Sequence, residues 1–177
     1  MSDRVFHLAQ FNISRLRAPL DDPILKEFVD FLGPVNAFAE QSPGFVWRMT
    51  ATDGAAASFL PSPYADPMMI TNLTVWTDLE SLRLFVYETV HRYFLQSRRK
   101  WFDRPASKQV VLWWMPAGQI PALEEAKAKL RLLKERGPSA IAFTVQDAFD
   151  PAGQPLPRVT RPGVANEPQG PTPAMES

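Results

Sequence analysis

The chain has 177 residues, 45% of them hydrophobic, and a formal net charge of zero. That is enough for one domain with a real core plus a tail, and the balanced charge leaves no broad electrostatic footprint for nucleic acid or an anionic membrane. There is no cysteine, which excludes disulfides, thiolate metal sites and cysteine nucleophiles.

"RVFHLAQFNI", Arg4 to Ile13, reads as a strand, followed by a polar loop. Asp22 before Pro23 is a helix start, a capping carboxylate followed by proline in the first turn. The helix runs through "ILKEFVDFLGPVNAFAEQ", where Gly33-Pro34 should kink or divide it. "SPGFVWRMTA" turns at Pro43-Gly44 and enters a second strand through Phe45, Trp47 and Met49. After a loop rich in glycine, alanine and proline, "MMITNLTVWTD" gives a third strand, and Asp78 is placed to cap the next helix. That helix contains "YETVHRYFLQSRRKWF". "KQVVLWWMPAG" is a fourth strand, apolar on both faces. Pro121 opens the helix "PALEEAKAKLRLLKERG", whose acidic start, basic end and terminal Gly137 suit the helix dipole and a C-cap. "AIAFTVQ" reads as a short final strand. From Asp150 on, prolines outnumber large apolar groups, so the tail is expected to be disordered or draped over a partner. The expected division is a domain over residues 4–147 and a Pro-rich tail over 148–177.

The order β-α-β-β-α-β, then α-β, gives the fold class: α+β, a ferredoxin-like split βαβ unit with an antiparallel sheet, plus an extra C-terminal helix and short strand. Tryptophans on both faces of the fourth strand imply that neither face of the sheet is left to water. A two-fold homodimer is the most economical cover for the second face. The opening segment has no basic start, long apolar stretch or small-residue cleavage site, and no run approaches the about 18 apolar residues of a membrane span. The expectation is therefore a cytoplasmic protein without membrane or nucleic-acid partners.

The segments "HLAQFNISRLRAPLDDP", "SPGFVWRM", "FVYETVHRYFLQSRRKWF" and "VLWWMPAGQIPALEEAKAKLRLLKERGPSAIAFT" resemble the bacterial family labelled domain of unknown function 3291, over about Phe6 to Gln146. That family is grouped with the dimeric α+β-barrel proteins, which include antibiotic-biosynthesis monooxygenases. The resemblance implies a dimeric α+β barrel, two sheets packed face to face. It also implies a cofactor-independent, monooxygenase-like activity on an aromatic or polycyclic substrate that serves as its own reductant.

The candidate site residues are few. His91 shares a helix face with Tyr87 and Arg98, opposite the face of Leu79, Leu82 and Val86, so a helix continuous to Phe102 is apolar nearly all round. It is open as a packed histidine, as a proton-transfer or substrate-contact catalytic residue, or as an axial haem ligand. Gln10, Asn12, Asn72 and Thr74 are polar residues at core-like strand positions. Neighbouring strands that both spend such positions on amides point either to a ligand cavity or to a hydrogen-bonded seam between subunits. Trp47, Arg48 and Trp114 complete the candidate substrate-binding set, Arg48 being equally readable as a salt-bridged edge residue. Phe59 and Tyr64 are loop anchors or lid residues, and His7 is read as structural. Two histidines without a close pair make no conventional zinc site. No metal or cofactor is expected, haem being the alternative. The expected ligand is small and apolar or aromatic.

Overall fold

The computed structural model describes residues 5–89, 95–105 and 107–158. Its sheet is built outward from β1 (Phe6–Arg15), which pairs antiparallel with β3 (Met69–Trp76) on one side and β4 (Val110–Pro116) on the other. β2 (Phe45–Arg48) adds antiparallel to β3, giving the order β2-β3-β1-β4. Each β-α-β connection skips one strand, which is the split βαβ arrangement, with the first and third chain strands at the centre.

Asp22 starts the first helical segment as its sequence implies. Its carboxylate accepts from the Ile24 N–H at 2.9 Å, a single 3₁₀ turn follows over Pro23–Leu25, and α1 spans Lys26–Gln41. The expected division at Gly33-Pro34 does not occur, because α1 continues through both residues. Pro34 lacks the N–H that would bond the Asp30 carbonyl, but Asp30, Gly33 and Pro34 are all exposed, so the loss falls on the solvent side of the helix. After β3, Asp78 caps α2 (Leu79–Thr89), accepting from the Ser81 N–H at 2.8 Å. α3 (Leu95–Trp101) follows. The expected continuous helix between them runs through residues 90–94, outside the described residues. α4 (Leu123–Arg136) begins with Glu124 and Glu125 and ends at Gly137, whose N–H bonds the Leu133 carbonyl at a φ of 79°.

The expected final strand is not one. Phe143 exchanges two backbone hydrogen bonds with Leu112 of β4, an isolated bridge, and the chain then leaves the sheet edge. Beyond the expected boundary at 147, residues 148–156 fold back onto the domain: Ala148, Phe149 and Leu156 join an apolar cluster, and the Trp114 indole donates to the Phe149 carbonyl at 2.7 Å. Residues 159–177 lie outside the described residues.

Alternation splits the sheet into two faces. Ala9, Phe11 and Ile13 of β1, Leu73 and Val75 of β3, and Val111, Trp113 and Met115 of β4 form one face, none more than 5% exposed. Its cover comes from the same chain. Ala126, Leu130 and Leu133 of α4 join this core, with Tyr64 and Met69 packed against it. The burial expected on this face is present within the chain, with α4 packed against it. The opposite face carries α1, α2, α3 and the 143–156 segment, over two separate apolar clusters.

Candidate functional site

On the helix-covered face, one cluster gathers Leu8, Trp76 and Leu112 of the sheet with Leu79 and Leu82 of α2, Ala39 of α1, and Phe143. The other gathers Leu16 with Leu25, Phe28 of α1, Trp101 of α3 and Phe102. α1 contributes to both clusters, through Ala39 and Phe28, while α2 contributes to the first and α3 to the second. What lies between is polar. Asn12 of β1 faces Asn72 of β3 across the sheet centre, and Gln10 faces Thr74.

These side chains form a continuous chain of hydrogen bonds. The Trp76 indole Nε1 donates to Thr74 Oγ1 at 3.0 Å, and Thr74 Oγ1 donates to Gln10 Oε1 at 2.8 Å. Gln10 Nε2 reaches Asn12 Oδ1 at 3.5 Å, and Asn72 Nδ2 donates to the same oxygen at 3.3 Å. Trp76 and Thr74 are buried, whereas Gln10, Asn12 and Asn72 are half-buried. Among the described residues, Asn12 Nδ2 and Asn72 Oδ1 take part in no hydrogen bond, and neither is a sealed atom. Amides at core-like positions normally have their donors and acceptors filled. Among the described residues, one donor and one acceptor stay open on this directly paired Asn12 and Asn72.

The remaining candidates scatter. Trp47 is not at this site, because it packs with the α4-face core on the opposite side of the sheet. A register shift between Phe45 and Trp47 is the cause: it breaks the alternation, so Phe45 faces the helices edge-on to Trp76 while Trp47 points the other way. Arg48 is on the helix side but engaged, donating from Nε to Glu40 of α1 at 2.7 Å and from Nη2 to the Gly54 carbonyl at 2.9 Å. It ties β2, α1 and the following loop together and does not serve as a free clamp. Trp114 is covered by the Phe149 segment. Tyr87 is 55% exposed on α2, and Arg98 is exposed on α3. His91 lies outside the described residues.

Tyr64 is an anchor: it packs against the α4-face core with Lys127 5.5 Å from its ring centre. Burial pushes its phenol pKa up, and Glu124 adds to the rise. Phe59 is half exposed and lines an open groove of about 490 Å³ with Leu16, Leu60 and Ile70. His7 sits on the α4 side of β1, where its Nδ1 is buried without a partner among the described residues. Among those residues no group of three or more His, Cys, Asp or Glu is placed to hold a metal ion, and no helix is long and apolar enough to cross a membrane. Reading by residue type overlooked Trp76, whose indole anchors the polar chain. Its signal was the period-two series Asn72, Thr74, Trp76, which puts all three on one face.

The family described as Domain of unknown function (DUF3291) matches residues 7–158, and the chain belongs to it. No curated protein matches the chain. Among solved structures, SnoaB, a cofactor-independent oxygenase from Streptomyces nogalater, is similar at 16% identity over 64% of this chain and 95% of its own, with a TM-score of 0.41. The NE2512 protein of unknown function from Nitrosomonas europaea is 12% identical over 67% of this chain and 98% of its own, with a TM-score of 0.43. A conserved protein from Methanosarcina mazei Go1 is 11% identical over 63% and 93%, also at 0.43. Likenesses this distant say nothing about the site.

Proposed function

We propose that this member of the family binds a small, flat, largely apolar molecule on the helix-facing side of its sheet, held by Asn12 and Asn72. The observation that carries the reading is the open donor on Asn12 and open acceptor on Asn72, set between two aromatic-rich clusters. Apolar walls supply the bulk of the binding and a few placed polar groups supply orientation, the usual division of labour in a small-molecule site. The resemblance to the monooxygenase-containing superfamily extends this to chemistry. In that version the ligand is an activated aromatic substrate whose CH₂ carbon is oxidised by O₂ to a carbonyl, with one oxygen atom entering the product and the other leaving as water. The substrate supplies the electrons. The chain's part is to orient the ring and to donate from Asn12 Nδ2 to the oxygen on which negative charge develops as the substrate loses its proton.

Thermal-shift and calorimetric titration against a panel of phenols, hydroquinones and quinones tests the binding reading. At least one member should bind, and Asn12→Ala should weaken it by about tenfold or more, the equivalent of about 1.4 kcal/mol. No binding across the panel would remove the proposal. Oxygen uptake with a bound, oxidisable ligand tests the chemistry: binding without uptake leaves a non-catalytic binding protein. A Soret band in the purified protein, lost in His91→Ala, would move the site to haem.

A further inference from the structure

We infer that Trp76, Thr74 and Gln10 are positioning residues that fix the hydrogen-bonding polarity of the site, so that it takes a neutral ligand with a carbonyl and an N–H or O–H side by side on one edge. The inference rests on the site proposed above and names the class of ligand it accepts.

One group in this series of hydrogen bonds has a fixed role. An indole nitrogen only donates. Trp76 Nε1 is fully buried and donates to Thr74 Oγ1 at 3.0 Å. That hydroxyl is then an acceptor toward Trp76, and its single proton goes to the oxygen of Gln10 at 2.8 Å. With its oxygen held there, Gln10 presents its NH₂ toward Asn12. Asn12 must answer with oxygen, which also receives the Asn72 NH₂ at 3.3 Å. In this arrangement each amide is oriented by the one before it, which leaves Asn12 with N–H to offer and Asn72 with C=O. The indole bond takes one of the two acceptor positions of Thr74 Oγ1 and leaves its single proton for Gln10; turning all three amides over would take Gln10 Oε1 away from that proton.

A ligand that matches this end carries an acceptor beside a donor. A lactam edge does so, as does a hydroxyl next to a carbonyl. An anion would need donors at both positions, and no described Lys or Arg side chain is hydrogen-bonded to these amides; Arg48 is held by Glu40 and Arg83 by the Val145 carbonyl. The two apolar clusters flanking the amides differ in composition, so ligands that present the same edge with opposite sense meet different walls.

Calorimetric titration with three neutral probes tests this: 2-quinolinone, its N-methyl derivative, and 1-isoquinolinone, which reverses the order of N–H and C=O relative to the fused ring. The lactam 2-quinolinone should bind about tenfold or more tighter than its N-methyl derivative, and Asn72→Ala should remove that difference by deleting the acceptor. The two isomeric lactams should differ by about fivefold or more. That ratio should narrow toward one in Thr74→Val, which breaks the chain, and persist in Thr74→Ser, which keeps the hydroxyl. Equal binding of 2-quinolinone and its N-methyl derivative would overturn the ligand class. An isomer ratio of one in the unmodified protein, or a ratio unchanged in Thr74→Val, would overturn the fixed polarity. Failure of all three probes together with the aromatic panel would instead take down the site on which the inference rests.

Discussion

At the scale of single residues, exposure and partners separate binding candidates from structural ones. Arg48 is 11% exposed in its side chain and spends its guanidinium on Glu40 and the Gly54 carbonyl. Arg48→Ala should therefore lower stability by about 1.5–3 kcal/mol, the range for hydrogen bonds to charged groups, while leaving ligand affinity within about twofold. Denaturant titration beside calorimetry checks both. Gly44 is a second case: its φ is +78°, and a Cβ there would run into the Ser81 side chain and meet Thr77 Oγ1 at 2.6 Å. Gly44→Ala should cost at least about 1–3 kcal/mol, read as a fall in the denaturation midpoint. Asn12, Gln10 and Asn72 were legible in the sequence because period two is rigid in an unbroken strand. Trp47 was not, because one register shift after Phe45 reverses every side chain that follows, and four residues of strand carry too little pattern to reveal it.

At the scale of elements, the strongest local signals were the caps. Asp78 is held at α2 by the Ser81 N–H at 2.8 Å and by the Thr77 and Ser81 hydroxyls. Burial pulls its carboxyl upward, but those bonds outweigh burial and hold it below the ordinary carboxylate range. A group whose folded pKa is depressed contributes stability above its unfolded pKa and loses it as pH falls through the folded value. Asp78→Ala should thus cost about 1 kcal/mol near neutral pH and less in acid, where the parent progressively loses the part that depends on its charge. Asp78→Asn, which keeps the oxygen acceptor, should cost less at neutral pH. Urea titrations at pH 7 and pH 3 separate the two, and an equal loss from Asp78→Ala at both would contradict the assignment. α4 was equally legible, from its charge order and Gly137. The segment at Phe143 was not, since one bridge to Leu112 satisfies the edge of β4 without a strand, and a short apolar run reads the same either way.

At the scale of the whole molecule, the composition of β4 announced a sheet buried on both sides but not by what. The apolar stripe of α4, Ala126, Leu130 and Leu133, would suit any apolar surface, and only the fold shows that it closes the face formed by Phe11, Val75 and Trp113. Leu130→Ala should accordingly cost about 2–5 kcal/mol, as truncation of a buried leucine does, measured by chemical denaturation. With that face covered by α4, the proposed ligand site lies on the helix-covered side, where Asn12 and Asn72 leave a donor and an acceptor open among the described residues. The most direct test of that claim is a ¹H–¹⁵N spectrum of the side-chain amides during titration with 2-quinolinone. The Asn12 NH₂ signals should move with saturation while the Asn36 signals, from the middle of α1, stay in place; a probe that saturates the protein and leaves the Asn12 signals unmoved would contradict binding at this site.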